Sequence, residues 1–212
     1  MRKLQIKNII EALIVVIGIS IFGWLIHNNG PGRFIAFMVL FLSSITIVFI
    51  SRQKNPLLLF GITRIRNRKL MYLLISLILG ISLGVITRKA FDLSLLPVKL
   101  SWVALLVPFI GITEELIFRG FIQGHVRSSG RIFSMLFATT GHTLYKALVI
   151  SSLSGPAHFS IQALLLWTFI GGLLISLLKE FSGSVIPSAI AHGCFDIILY
   201  GGFVMVPFWV WG

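Results

Sequence analysis

Residues 101–120, SWVALLVPFIGITEELIFRG, decide how the rest of the chain is read. The run from Trp102 to Ile112 is apolar enough to sit in lipid, yet it leads directly into Glu114, Glu115 and Arg119. Only six acids occur in the whole chain, and two of them stand side by side at the end of this run. A charged side chain at the centre of a spanning helix costs about 2.5–3.5 kcal/mol on insertion scales, so such residues are kept for a compensating reason.

Outward from that stretch, the chain repeats the same apolar texture. Its 212 residues are 57% hydrophobic, with a mean hydropathy of +1.00, well above the usual range for a soluble domain. Crossing a bilayer takes about 20 apolar residues. Seven stretches qualify, at roughly 8–27, 32–50, 70–88, 100–118, 132–153, 161–179 and 185–209. They predict an all-α, polytopic integral membrane bundle of about seven transmembrane helices, organised as a single membrane domain over 1–212. N-terminal spans cover about 8–88 and a core bearing the chemistry covers about 100–205. The first stretch is kept as a span, because its apolar run exceeds a signal-peptide core and no small-residue cleavage site follows. No internal repeat, low-complexity tract or linker divides the chain.

Basic residues set the expected orientation. With the N-terminus in the cytoplasm, thirteen of the 18 Lys and Arg lie inside, four (Arg33, Arg88, Lys89 and Lys99) lie outside, and Lys146 falls within a span. A multi-pass cell-membrane protein with its C-terminus outside is the favoured topology. The formal net charge of +12 is then the mark of basic loops beside an anionic inner leaflet, and no nucleic-acid partner is implied. Residues 51–69 form the longest polar connection; their plain reading is a solvated basic loop, the other being an apolar centre, PLLLFGI, that dips into the interface. Cys194 is the only cysteine, so no intrachain disulfide exists.

The positions of the acids narrow the chemistry. Asp92 and Glu180 lie at membrane edges, and Glu11 lies one turn into the first span. Glu115 and Arg119 are four apart, so they share a helix face and form an ion pair. Glu114 is rotated by about 100° from Glu115, which leaves it free of that pair. A second constellation, His192 and Asp196, is again four apart on one face. That spacing suits two ligands on one metal, or an oriented imidazole beside a carboxylate that positions water, or a plain buried hydrogen bond.

Two histidines compete for a third role, His142 mid-span and His158 after the Ser-Gly-Pro break at 154–156. The turn near Ser128 and Ser129 lies about 14 residues after Glu114, so an antiparallel neighbour at equal depth falls near residue 143. That count favours His142. His158 would lie about 24 Å away on a continuous helix, and reaches Glu114 only if the chain folds back. Lys146, one turn from His142, is expected to pair with Glu114 or Asp196.

With EELIFR and HGCFD in view, the chain resembles the CPBP family of intramembrane proteases, the group that includes the eukaryotic CAAX prenyl endopeptidase and the bacterial Abi-type proteins. The family's EExxxR motif is matched by Glu114, Glu115 and Arg119, with Gly120 following, and its HxxxN/D motif by His192 and Asp196. The middle motif, FxxxH, departs: Phe137 is five residues before His142, and the required spacing before His158 falls on Ser154. The resemblance covers roughly 100–205.

By resemblance, Glu114 is the general base that activates water, helped by the middle histidine, and the substrate is a peptide or protein in or at the bilayer. Two versions stay open. In one, Glu114, His142 and His192 hold a metal, commonly zinc. In the other no metal is involved: Glu114 and the middle histidine polarise water, Asp196 positions it and His192 stabilises the oxyanion. Two rival readings also place acids and histidines in a membrane: a transporter or proton relay, and a non-catalytic Abi-type immunity or partner protein.

Overall fold

The computed structural model describes residues 2–62, 65, 68–152 and 161–205. Helices follow the apolar runs: α1 (Arg2–Leu25), α2 (Pro31–Arg52), a short α3 (Pro56–Phe60), α4 (Lys69–Ala90), α5 (Val103–Glu115), α6 (Gln123–His125), α7 (Arg131–Ser151), α8 (Ile161–Ser182) and α9 (Val185–Tyr200). Between α5 and α6 the helix runs on through a π-helical segment, Leu116–Ile122. Taken together, α5 to α6 form one rod, so among the described residues seven rods stand where seven apolar stretches were read.

The fold is an all-α membrane bundle. By length and composition four helices suffice to cross a bilayer: Lys3–Leu25, Pro31–Arg52, Lys69–Ala90 and Leu164–Ser182. The other three rods carry Glu114, Glu115, Arg119, His142, His192 and Asp196. Large side chains such as Ile14, Phe41, Phe49, Ile78 and Leu105 are exposed on the outside, while Ser76, Thr139, Ser176 and Ser188 are fully buried. Apolar groups therefore face outward and polar groups inward, the arrangement that lipid imposes, since hydrocarbon offers no hydrogen bonds.

Two packing units position the site. One gathers α1, α2, α7 and the π segment around Val15, Phe22, Phe118, Phe121 and Tyr145. The other joins α5 to α9 around Val103, Val107, Leu199 and Tyr200. Helix α9 also lies against α4, where Gly80 and Gly84 make a small-xxx-small step that lets the backbones close up. A methyl group on Gly80 would overlap the Ala191 carbonyl, and one on Gly84 would sit 2.7 Å from Ile198 Cγ2.

Both ends of α9 are held. Ser184 caps its N-terminus by accepting from the Ile186 amide at 3.3 Å. At the other end Arg88 of α4 donates from Nη1 to the carbonyls of Leu199 at 2.9 Å and Ile198 at 3.3 Å, the groups a helix C-terminus leaves without partners. Helix α9 stops at Tyr200, nine residues before the expected limit of the last span. The following chain turns back on α5 instead, with the Ser101 amide donating to the Gly201 carbonyl at 2.8 Å.

Residues 56–60, read above as the centre of a solvated loop, form a packed helix. Asn55 accepts from the amides of Leu57 and Leu58, Pro56 starts the turn and Gly61 ends it with φ 66°. Leu59 is buried in the core, and Phe60 meets Phe121 with ring centroids 6.1 Å apart. A loop reading failed here because one buried face on a single helical turn is too short to register as periodicity.

Candidate active site

Glu114 and Glu115 end α5, and Arg119 follows inside the π segment. A π turn inserts a residue into the i→i−4 ladder and is frequent where a helix must aim a side chain. Arg119 is completely buried, as are its surroundings. Its Nη1 lies 3.1 Å from Glu115 Oε1 and 3.1 Å from His142 Nδ1. Its Nη2 donates to the Gly172 carbonyl at 3.1 Å and its Nε to Ser176 Oγ at 3.4 Å, both on α8. One guanidinium fork therefore ties α5, α7 and α8 together.

The anticipated pairing of Glu115 with Arg119 is present. Glu114 stays out of that pair and, as one of the two carboxylates expected for Lys146, takes that lysine: Oε2 lies 3.0 Å from His142 Nε2, and Oε1 accepts from Lys146 Nζ at 2.6 Å. The arrangement has a simple cause. His142 and Lys146 are four apart on α7, so one helix face brings a ring N–H and an ammonium to the two oxygens of one carboxylate.

His192 of α9 sits opposite. Its Nδ1 lies 2.8 Å from Glu115 Oε1, and its Nε2 is 3.8 Å from both Glu114 Oε2 and Asp196 Oδ1. The rings of His142 and His192 are 6.0 Å apart. Glu114, Glu115, Arg119, His142, His192 and Asp196 thus meet in one place, and all six are buried. His158 falls outside the described residues.

Hydrogen-bond chemistry fixes the role of Nδ1 in each imidazole. A guanidinium only donates, so His142 Nδ1 accepts from Arg119 and the ring proton sits on Nε2, facing Glu114. A carboxylate only accepts, so His192 carries a proton on Nδ1, facing Glu115, and turns Nε2, a second donor when the ring is doubly protonated, toward the cavity. His142 is a donor to Glu114; His192 offers its second nitrogen to whatever enters.

That arrangement bears on a metal. Zinc needs lone pairs from each ligand, and His142 Nε2 presents an N–H while its other nitrogen is taken up by Arg119. Among the described residues, no group of three His, Cys, Asp or Glu is disposed to hold a metal ion. Glu114, His142 and His192 as arranged do not fit one.

A cavity opens beside Glu114, His142, Lys146, His192 and Asp196, with walls from Leu83, Leu164, Trp167, Phe195 and Leu199 among others. Among the described residues, neither Glu115 Oε2 nor Asp196 Oδ2 meets a donor. Asp196 Oδ2 packs against Gly111, where a methyl group would overlap it and would lie 3.0 Å from the His192 ring.

Sequence reading overlooked α8. Gly172 and Ser176 anchor Arg119, and Thr139 Oγ1 lies 3.1 Å from Ser176 Oγ. The available signal was a small and a polar residue four apart in an otherwise apolar helix. Cys194 faces α4, beside Gly80, and takes no part in the cluster.

Compared with known proteins, residues 95–198, just under half of the chain, match the family model described as type II CAAX prenyl endopeptidase Rce1-like. No curated protein and no solved structure matches the chain.

Proposed function

Through residues 95–198 this chain belongs to the Rce1-like family of type II CAAX prenyl endopeptidases, and we propose that it hydrolyses a peptide bond at the membrane with water activated by Glu114. The observation that carries the reading is the divided environment of that carboxylate. Its Oε1 is held by Lys146, whereas its Oε2 faces His142 and the cavity edge occupied by His192.

The steps follow from those positions. Water entering beside Glu114 gives a proton to Oε2, which keeps a lone pair beyond the one accepting from His142. Hydroxide attacks the scissile carbonyl carbon, and negative charge moves to the carbonyl oxygen. His192, in its doubly protonated form, presents Nε2–H to that oxyanion while Glu115 accepts from Nδ1–H. Asp196 Oδ1, 3.8 Å from Nε2, flanks the same position. Collapse of the intermediate returns the proton from Glu114 to the leaving amine, and the enzyme is restored. Arg119 takes no proton; it fixes His142 in the form that donates to Glu114.

No metal is used in this scheme. The apolar walls of the cavity support a substrate that brings an apolar group beside the scissile bond, as a prenylated tail does. The N-terminus is assigned to the cytoplasm and the C-terminus to the outside, an orientation supported by Lys54, Arg127 and Arg131 gathering at the end of the bundle where α1 begins.

The test compares peptide termini across the host proteome between cells expressing wild-type protein and cells expressing Glu114→Ala at equal membrane abundance. New termini confined to the wild type are expected. Indistinguishable sets, with both proteins folded, would remove the hydrolase reading and bring proton relay forward.

A further inference from the structure

Lys146 lies outside the motif residues, yet it makes the shortest contact to Glu114, 2.6 Å from Nζ to Oε1. We infer that Lys146 is a positioning residue for Glu114, selecting which carboxylate oxygen receives the proton; this rests on the hydrolase reading given above.

The argument begins with the freedom of a carboxylate. The terminal torsion of a glutamate is broad and roughly two-fold, so its oxygens exchange roles unless each has its own partner. His142 alone does not distinguish them, because its single N–H serves either oxygen. A cation at Oε1 and a ring N–H at Oε2 do distinguish them, and they fix the carboxylate plane. Oε2 is thereby left as the oxygen 3.8 Å from His192 Nε2, on the side where the cavity opens.

Placement on α7 makes this a built arrangement. Lys146 and His142 share one helix face by their four-residue spacing, and Lys146 Nζ also lies over the Tyr145 ring, 5.3 Å from its centroid. The ring in turn stacks with Phe118 at 5.9 Å. The ammonium therefore has a floor as well as an acceptor. An exposed lysine whose only task was compensation would snorkel toward the interface; this side chain is only 15% exposed.

Compensation and positioning give different kinetics. The probe is a peptide copied from a Glu114-dependent cleavage site, with protein in liposomes and folding checked by thermal unfolding in detergent. For Lys146→Met, kcat is expected to fall by about 10- to 100-fold, because misaimed catalytic groups cost this much, with KM within about twofold. Lys146→Arg, which keeps a cation within reach of Oε1, is expected to recover most of the lost kcat. Should Lys146→Met not fold, Lys146→Gln replaces it with the same expectation. An unchanged kcat, or a loss confined to KM, overturns the positioning role while leaving the hydrolase intact. If no Glu114-dependent cleavage site exists, the hydrolase reading fails, and this inference with it.

Discussion

Adding one methyl group at Gly111 is a sharp probe of the site, because it changes no charge and removes no motif residue. The methyl would overlap Asp196 Oδ2 and stand 3.0 Å from His192 Cδ2 and 3.1 Å from Cγ. Comfortable carbon contacts lie at about 3.5–4.0 Å, so the carboxylate and ring must retreat by on the order of 1 Å. The fold should tolerate this. Alanine in place of glycine improves helix propensity by about 1 kcal/mol, against an overpacking cost of about 1–3 kcal/mol. A net loss within about 2 kcal/mol is expected, small enough for the protein to be purified. Activity should suffer far more: a displacement of about 1 Å at reacting groups costs up to about 100-fold. The assay is kcat for Gly111→Ala and wild type in liposomes, with thermal midpoints in detergent beside it. A folded Gly111→Ala protein retaining activity within about threefold of wild type would refute the claim that His192 and Asp196 act from the positions described.

Other outcomes follow from the same geometry. Arg119→Met leaves the Glu115 carboxylate buried without its cation, and breaking such a pair costs about 3–5 kcal/mol, seen as a fall of about 6–20 °C in the thermal midpoint. Arg88→Ala strips donors from the Leu199 and Ile198 carbonyls and from Ser94, for a loss of about 1–3 kcal/mol, again read as a lowered midpoint. His142→Ala removes the N–H that Glu114 Oε2 accepts and should abolish cleavage while the protein stays folded; a fully active protein would mean that another residue has that role.

Much of the bundle could be read because lipid demands long apolar helices, and seven such runs are plain in the sequence. The ion pair of Glu115 with Arg119 was legible because four-residue spacing on a helix fixes a shared face. The antiparallel depth count pointed to residue 143, and His142 lies 3.0 Å from Glu114. What stayed hidden depends on contacts between helices. Whether Glu114 or Asp196 would take Lys146 stayed open because the rotation of Glu114 on its own helix says nothing about what α7 brings to it. The four-residue spacing of Gly172 and Ser176 did not name Arg119 as their partner, since their role lies in a backbone carbonyl and a hydroxyl that only packing aims. Gly80 and Gly84 were passed over for the same reason: a small-xxx-small step in an apolar helix does not name its partner, here α9. The early end of α9 was masked by Phe203, Val204 and Met205, which carry hydropathy without continuing the helix.

The central claim is that Glu114 activates water directly. It is tested most directly by measuring cleavage of a Glu114-dependent peptide by purified protein in liposomes after exhaustive metal removal, for wild type and Glu114→Gln side by side. The account predicts that wild type keeps its rate without metal and that Glu114→Gln falls by about 10²–10⁴-fold, the usual worth of a general base. Equal rates for the two proteins, or wild-type cleavage that disappears with the metal and returns with zinc, would contradict it.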